Sequence, residues 1–347
     1  MPAADRSVTV SARWDCLPCP GDDMPRRSKL IIACSLVFVA GIASVSGDVE
    51  AKAVPTAPAS QGVWQPPSGL QQIPIWPDAA PDMPGTPQPP ESAVTVDRPV
   101  AGRFIANVSV PTMTVFPAQG PNSGVSMIVF PGGGFQGLAI DLEGTEICDW
   151  MTARGITCVL LKYRVPKSAH YWDKDCHCHI TPDVPRALQD AQRTIRLVRK
   201  QAKNLQIDPA KVGVIGMSAG GYLVAQTSNL FDPVYKPVDD ADTLSSRPDF
   251  AVALYPGHLC RESAKLDPGL PVTKRTSPTF LLQAWDDPVD DICNTTVYAR
   301  ALDDAGVSAE VHLFAKGGHA FGLRPTEHAI TGWPSLVENW LKEMAFL

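Results

Sequence analysis

One ten-residue stretch constrains the fold of this chain more than any other. Residues 212–221 read VGVIGMSAGG, an apolar run that ends in Gly-x-Ser-x-Gly with Ser218 at its centre. The apolar run is typical of a strand buried on both faces of a parallel sheet, and the small residues after Ser218 can begin a helix at once. A serine at so sharp a turn needs small neighbours, because a side chain at Gly216 or Gly220 would collide with the crossing backbone. The alternative is a glycine-rich turn in which the serine is incidental.

The first 53 residues have the features of an export signal. A basic segment that starts at Met24 precedes an uncharged run from Leu30 to Val45, and Ala51-Lys52-Ala53 is a small-residue cleavage site. Ser44-Val45-Ser46 is a rival cleavage site, and an uncleaved membrane anchor is the alternative to cleavage. We therefore expect residues 1–53 to be a signal segment, with Met24 as an alternative start. The mature chain is expected to be periplasmic or secreted, without stable insertion in a membrane.

Charge and cysteine content limit the partners and the compartment. The chain has 30 basic and 36 acidic side chains, and the mature part keeps 24 against 30. This mild negative charge does not favour nucleic acid as a partner. An even number of cysteines in an exported chain indicates disulfides, and Cys260 with Cys293 is the preferred pair because both follow strands expected to end at one edge of the sheet. The cysteines after position 53 are Cys148, Cys158, Cys176, Cys178, Cys260 and Cys293.

Strand and helix patterns alternate along most of the chain. Residues 54–96 form a proline-rich extension, expected to be extended, although Trp64 and Trp76 argue against full disorder. The predicted strands are 108–116, as an antiparallel edge strand, then 125–130, 156–163, 212–217, 250–255, 279–284 and 309–314. One predicted helix starts at Asp141. The other predicted helices cover 182–203, 219–230, 294–305 and 332–345. This alternation predicts one α/β domain, 97–347, with a mostly parallel sheet covered on both faces.

Three residue types that cooperate in nucleophilic catalysis follow successive predicted strands. A serine hydroxyl is a weak nucleophile, so it needs a neighbouring base, and the base needs an orienting carboxylate. We predict Ser218 as the nucleophile and His319, in the segment Gly317-Gly-His-Ala-Phe-Gly322, as the general base and then acid. His258, after the strand 250–255, could line the same site. The candidate orienting carboxylates are Asp286, Asp287, Asp290 and Asp291.

A run of three glycines, Gly132 to Gly134, follows the predicted strand 125–130. Acyl transfer needs hydrogen-bond donors aimed at the developing oxyanion, each worth about 3 to 4 kcal/mol, and the backbone amides of a glycine-rich loop can supply them. A dinucleotide-binding loop is also rich in glycine, but the pattern Gly-x-Gly-x-x-Gly is absent here. No cofactor is therefore expected.

Several segments together carry a resemblance to a known family. They are Ile73-Pro-Ile-Trp-Pro77, Phe130-Pro-Gly-Gly-Gly-Phe135 with Leu138-Ala139 and Glu143-Gly144, Asp190-Ala-Gln-Arg193, Gly216-Met-Ser-Ala-Gly-Gly221 and Gly317-Gly-His-Ala-Phe-Gly322. From about residue 70 to its end, the chain resembles the secreted acetyl-xylan-esterase-like, or lipase/esterase-like, branch of the α/β-hydrolases. Pro131 departs from the histidine that hormone-sensitive-lipase-type esterases have at this place. The resemblance implies the α/β-hydrolase fold and a catalytic domain that hydrolyses esters.

The resemblance also implies roles for particular residues. The superfamily has the chain order serine, acid, histidine, and Asp-x-Val resembles the turn that carries its acid, so Asp287 is favoured over its neighbours. The superfamily keeps its oxyanion loop where Gly133 and Gly134 lie, and the amide of Ala219 would act with them. Too few residues separate Pro256 from Thr279 for the cap domain commonly inserted there. An uncapped site favours acetyl esters, free or on a carbohydrate such as acetylated xylan.

Other functions remain open at the level of the sequence. A serine peptidase or a lactone hydrolase could use the same three residues on the same fold. A non-enzymatic interaction module on this fold usually loses one of the three, and none is lost here.

One cysteine- and histidine-rich run lies outside the family pattern. Cys176-His177-Cys178-His179 is part of an apparent insertion, 171–181. Zinc sites usually separate paired ligands by two to four residues, whereas these four are consecutive. We expect a disulfide-bearing loop here rather than a metal site, and no metal elsewhere.

Overall fold

The computed structural model describes residues 62–96, 101–165, 171–173, 178–180 and 185–347. The chain divides into two units, residues 1–55 and 56–347, and every described residue belongs to the second. The predicted signal segment 1–53 therefore lies outside the described residues. So do Cys176 and His177, while Cys178 and His179 are described only as part of a short strand.

The described part of the chain alternates between strands and helices, as the apolar pattern predicts. The strands are β1 (Ile73–Pro74), β2 (Ser92–Val96), β3 (Gly102–Ala106), β4 (Thr112–Phe116), β5 (Ser126–Phe130), β6 (Gly137–Leu138), β7 (Thr157–Lys162), β8 (Tyr171–Asp173), β9 (Cys178–Ile180), β10 (Val212–Met217), β11 (Ala251–Leu254), β12 (Cys260–Arg261), β13 (Lys265–Leu266), β14 (Thr279–Ala284) and β15 (Ala309–Phe314). The α-helices are α1 (Glu146–Thr152), α2 (Pro185–Lys200), α3 (Ala202–Leu205), α4 (Ala219–Asn229), α5 (Cys293–Asp304) and α6 (Trp333–Glu343). Short helical turns cover Asp141–Thr145, Asp240–Thr243, Glu262–Ala264 and Ala329–Gly332. The helix expected to start at Asp141 thus begins as a π-helical turn and continues as α1.

Eight strands form the central sheet, in the order β1-β4-β7-β5-β10-β11-β14-β15. The six strands β7, β5, β10, β11, β14 and β15 run parallel to one another, and β4 is antiparallel to both of its neighbours, β7 and β1. The mostly parallel sheet and the α/β-hydrolase fold predicted from the sequence are confirmed. The strand expected over 108–116 is shorter, and it is not the edge strand, because Ile73 of β1 pairs with Met113 on its outer side.

The core lies on both faces of the sheet. Every residue of β5, β7, β10, β11 and β14 is buried. Since successive side chains of a strand point to opposite faces, burial at every position requires a covering layer on each side. Strand β15 at the far edge alternates between exposed and half-buried residues, as an edge strand covered on one face does.

The proline-rich segment 62–96 packs into the same core. Trp64, Ile75 and Trp76 are buried. The indole nitrogen of Trp76 donates a 2.8 Å hydrogen bond to Asp190 of α2, and the same carboxylate pairs with the buried Arg164 at 2.9 Å. The extension therefore supplies apolar surface and a donor to a buried ion pair. The boundary at residue 97 stays a prediction.

Two disulfides link elements that lie near the sheet. Cys148 of α1 is bonded to Cys158 of β7, and Cys260 of β12 is bonded to Cys293 at the start of α5. The preferred pair, Cys260 with Cys293, is confirmed. It joins the segment that follows β11 to the segment that follows β14.

No cap domain is inserted in the chain between β11 and β14. The intervening residues, all described, contain only β12, β13 and the three-residue turn Glu262–Ala264. The expectation of an uncapped fold is confirmed at this position. In the part of the chain that the structure describes, no helix is both long and apolar enough to cross a membrane.

Candidate active site

The predicted site residues lie at one edge of the sheet, where five parallel strands end. The segments that follow β5, β10, β11, β14 and β15 carry the glycine run, Ser218, His258, Asp287 and His319 respectively. The carboxyl ends of parallel strands meet at the same edge, which is where open α/β sheets bind ligands. Residues far apart in the sequence are therefore brought together by strand order.

Ser218 occupies the strained turn that the sequence predicts. Its backbone angles are φ 53° and ψ −120°, outside the regions that a serine usually adopts, and helix α4 begins at the next residue. A Cβ on Gly216 would lie 2.1 Å from the carbonyl oxygen of Gly220, and one on Gly220 would lie 1.9 Å from that of Phe130. The two glycines are thus required by the close approach of β5, β10 and α4.

His319 is oriented by Asp287 and not by the adjacent Asp286. The imidazole Nδ1 of His319 lies 2.8 Å from Oδ2 of Asp287. An ionised carboxylate only accepts, so this contact holds the proton on Nδ1 and leaves Nε2 able to take one. The side chain of Asp286 instead accepts from the amides of Gly317 and Gly318, each at 2.9 Å, and so shapes the loop that carries the histidine.

The other oxygen of Asp287 organises its own loop. Its Oδ1 accepts hydrogen bonds from the amides of Val289 at 2.9 Å and Asp290 at 3.0 Å. One carboxylate therefore fixes the direction of the imidazole and the path of the chain after β14. Asp291 is exposed and accepts from the amide of Cys293, so it takes no part in the cluster.

A second carboxylate, Asp290, lies on the opposite side of the imidazole. The hydroxyl of Ser218 donates to Oδ2 of Asp290 at 3.4 Å, and the same oxygen lies 3.8 Å from Nε2 of His319. Asp290 is almost fully buried. Burial raises the pKa of its carboxyl to about 6, against the opposing effect of His319, and the charge of Asp287 adds to the rise.

The pKa of His319 reflects this acidic surrounding. Burial lowers the pKa of the imidazole, but the hydrogen bond to Asp287 and the charges of Asp290, Asp287 and Glu143 together outweigh burial, so the pKa lies above its ordinary value. The protonated ring is stabilised relative to a histidine in water.

Glu143 anchors the first residue of the glycine run through a hydrogen bond. Its Oε2 accepts from the amide of Gly132 at 2.7 Å, and its Oε1 accepts from the hydroxyl of Tyr255 at 3.0 Å. A Cβ on Gly132 would lie 2.5 Å from that carboxylate and 2.9 Å from the Cβ of Ser218, so only glycine fits there. Burial raises the pKa of Glu143, and the hydrogen bonds oppose the rise.

The loop beyond Gly132 carries the other two members of the glycine run, Gly133 and Gly134. Gly133 and Gly134 have φ of 133° and 61°, angles that glycine adopts without strain. Among the described residues, none accepts a hydrogen bond from the amides of Gly133, Gly134 or Ala219. Gly133 and Gly134 line a cleft together with Ser218, and the role of these amides and of the Ala219 amide as oxyanion donors stays a prediction.

A cleft of about 220 Å³ connects these groups. It is lined by Gly133, Gly134, Ala139, Glu143, Ser218, His258, Val289, Asp290, His319 and Ala320. His258 lines the cleft, as the sequence suggests it could, and its ring lies 5.8 Å from that of Phe135 and 5.9 Å from that of Tyr222. Within the described ranges, no three acidic, histidine or cysteine side chains converge on a point where a metal ion could bind.

Sequence reasoning assigns no role to Glu143 or Tyr255 in this cluster. The available signals were weak: Glu143 follows the glycine run by a short segment, and Tyr255 ends a predicted strand. The sequence offers Asp290 only as an alternative to Asp287. Its position on the Nε2 side of the imidazole depends on the path of the loop, which the order of residues does not reveal.

Comparisons with known proteins show which families this chain is similar to. Residues 187–345 match the prolyl oligopeptidase family, and residues 117–252 match the family described as BD-FAE. An acetylxylan esterase of Xylanibacter ruminicola is 27% identical over 280 residues, which are 73% of this chain and 53% of that protein. The chain thus spans about half the length of this curated relative.

Solved structures extend the likeness. An acetyl ester-xyloside bifunctional hydrolase from Caldicellulosiruptor lactoaceticus is 30% identical with a TM-score of 0.62, covering 80% of this chain and 97% of the other. Esterase 2 of Thermogutta terrifontis shares the fold at 20% identity and a TM-score of 0.59, covering 81% and 96% of the two chains. The chain belongs to the acetyl-xylan-esterase-like branch of the α/β-hydrolase superfamily.

The charge of Asp290 should be visible in the titration of His319. In Asp290→Asn one of the negative charges that raise the pKa of His319 is removed, so this pKa should fall toward its ordinary value. NMR titration of the imidazole resonances measures the change directly. Asp291→Asn, which removes an exposed carboxylate one residue away, serves as the control and should leave the pKa unchanged. A pKa that stays the same or rises in Asp290→Asn contradicts the prediction.

Proposed function

We propose that this chain is an exported serine esterase that hydrolyses short-chain esters, acetyl esters above all, including those on carbohydrates such as acetylated xylan. The observation that carries the proposal is the 2.8 Å contact between His319 Nδ1 and Asp287 beside the strained turn of Ser218. A base oriented in this way next to a serine at a strand-to-helix turn is the arrangement that acyl transfer requires.

The proposed reaction has two halves. In the first, the Ser218 hydroxyl turns from Asp290 toward His319, gives its proton to Nε2 and attacks the ester carbonyl carbon. The carbonyl oxygen becomes an oxyanion, which accepts hydrogen bonds from the amides of Ala219 and of Gly133 or Gly134. The intermediate then collapses: the bond to the alcohol oxygen breaks, the alcohol leaves with the proton from Nε2, and the acyl group stays on Ser218.

The second half regenerates the serine. A water molecule gives a proton to His319 Nε2 and attacks the acyl carbon, and the same amides stabilise the second oxyanion. Collapse breaks the bond to Ser218 Oγ, which recovers its proton from His319, and the carboxylic acid is released. The carboxylate of Asp287 stabilises the imidazolium that forms in each half.

The open cleft supports a preference for short acyl groups. The segment between β11 and β14 holds no α-helix, so the described residues offer no cap there to enclose a long chain. Each methylene group gains about 0.8 kcal/mol only when it is buried. A long acyl chain therefore gains little from this site, whereas a bulky alcohol can still approach it.

The relatives support the same substrate class. One is an acetylxylan esterase and another is an acetyl ester-xyloside hydrolase. The match of residues 187–345 to the prolyl oligopeptidase family favours a second candidate, a serine peptidase of the same fold. Assays with acetyl esters and with matched peptide amides separate the two candidates, because a peptidase must hydrolyse the amides with turnover, whereas an esterase leaves them intact.

Ser218→Ala should abolish hydrolysis without unfolding the protein. Removal of the nucleophile costs about a million-fold in turnover when nucleophile and base act as one unit. The measurement is the hydrolysis rate of nitrophenyl acetate, with circular dichroism to establish that the variant is folded. A fluorophosphonate that labels serine nucleophiles should label the wild type and not the variant. Labelling that persists in Ser218→Ala would place the nucleophile elsewhere.

Acyl chain length is the second test. Across nitrophenyl esters from acetate to octanoate, kcat/KM should be highest for acetate and should decline as the chain lengthens, because the added methylene groups find no enclosing surface. Faster turnover of octanoate than of acetate would show that a segment covers the cleft, and the open-site argument would be wrong.

The compartment can be tested on the mature chain. We propose that export removes residues 1–53, which the basic and apolar pattern of Met24 to Val45 supports, as do the two disulfides. N-terminal sequencing of the exported protein should find a start near Val54. Intact-mass analysis after alkylation without reduction should leave Cys148, Cys158, Cys260 and Cys293 unlabelled. Retention of the whole chain in the cytoplasm with free thiols contradicts the proposal.

A further inference from the structure

Asp290 is a buried carboxylate inside the cleft for which the proposed reaction has no use. The orienting position on Nδ1 of His319 is already occupied by Asp287. Asp290 lies instead near Nε2, at 3.8 Å, which is the nitrogen that delivers a proton to the departing alcohol. Its carboxylate therefore borders the place where the alcohol half of an ester must lie.

Hydrogen bonds fix the backbone of Asp290, and its carboxylate packs against a neighbouring segment. Its backbone amide donates to Asp287, and its carbonyl oxygen accepts a 2.6 Å hydrogen bond from the side chain of Gln283. A Cβ on Gly257 would come within 2.7 Å of Oδ1, so the residue packs directly against the segment after β11. A group fixed by its neighbours in this way is preorganised for a contact with a ligand.

The hydrogen bonding of Asp290 is incomplete once the reaction begins. Among the described residues, the side chain receives one hydrogen bond, from the hydroxyl of Ser218 at 3.4 Å. That donor is lost when Ser218 turns to His319 and is acylated, because an ester oxygen carries no proton. A buried carboxylate without a donor is unfavourable, so a substrate that supplies one is preferred over a substrate that does not.

We propose that Asp290 is a specificity-determining residue, whose carboxylate accepts a hydrogen bond from a free hydroxyl next to the ester on the alcohol half of the substrate. This inference rests on the proposed esterase function and deepens it. The alcohol oxygen must lie within reach of His319 Nε2, and a vicinal hydroxyl on a ring then faces the neighbouring Asp290 Oδ2. Partly acetylated polyols and sugars carry such a hydroxyl, whereas simple alkyl acetates do not.

A matched series of three esters tests the contact. Trans-2-hydroxycyclohexyl acetate presents one vicinal hydroxyl. Trans-2-methoxycyclohexyl acetate has a methoxy group of similar bulk that cannot donate a hydrogen bond. Cyclohexyl acetate has no substituent at this position. All three give the same acetyl-enzyme, so differences in kcat/KM arise from the alcohol half. The wild type should favour the hydroxy ester over the methoxy ester by about 10-fold or more, since sites built to bond a hydroxyl discriminate against analogues that lack it.

Three variants identify the residue responsible. In Asp290→Val the ratio of kcat/KM for the hydroxy and methoxy esters should fall to about one, and in Asp290→Asn, which keeps an accepting oxygen, it should be intermediate. Asp291→Asn removes an exposed carboxylate outside the cleft and should keep the wild-type ratio. The ratio cancels any effect of Asp290 on the pKa of His319, because such an effect changes all three rates together.

Each contrary outcome is distinct. A wild-type ratio near one, or a ratio that stays high in Asp290→Val, overturns the role of Asp290 and leaves the esterase intact. Rates that fall equally for all esters in both Asp290 variants also overturn it, because Asp290 would then act through His319 alone. Failure of the wild type to hydrolyse any of the three esters, or nitrophenyl acetate, removes the esterase proposal itself and this inference with it.

Discussion

The close approach of β5, β10 and α4 is the constraint on which the candidate site depends. Carbonyl oxygens of Phe130 and Gly220 occupy the space where side chains of Gly220 and Gly216 would lie. Only with this contact can the chain reverse within one residue and hold Ser218 with a positive φ. The burial of the whole sheet stabilises a turn that would be unfavourable in isolation.

Acidic groups dominate the surroundings of the serine. Three carboxylates surround the imidazole of His319, and the charge of each raises the pKa of this imidazole. They belong to Glu143, Asp287 and Asp290. Such proximity is tolerable because each carboxylate meets different donors: Glu143 meets Gly132 and Tyr255, and Asp287 meets His319 and two amides. Asp290 has the weakest bonding of the three, which is why it is the one suited to a ligand.

Much of this architecture follows from the sequence, for reasons that are local. The strands after which Ser218, Asp287 and His319 lie are continuous apolar runs, and parallel strands of this kind must end at one edge. The choice of Asp287 over Asp286 came from a resemblance, since two adjacent carboxylates differ only in side-chain direction. The bonding of Asp286 to Gly317 and Gly318 depends on a contact between segments about 30 residues apart, which no local pattern encodes.

The proline-rich extension limits how far this protein can be shortened from its N-terminal side. Trp76 donates to Asp190, and Arg193 of the same helix donates to the carbonyl oxygen of Ile75 at 2.9 Å. A chain that began at residue 97 would open this interface to water and leave the Arg164–Asp190 pair without one of its donors. A piece that keeps this interface must start before Ile75, so the proline-rich segment acts as the first layer of the hydrolase core rather than as a tether ahead of it.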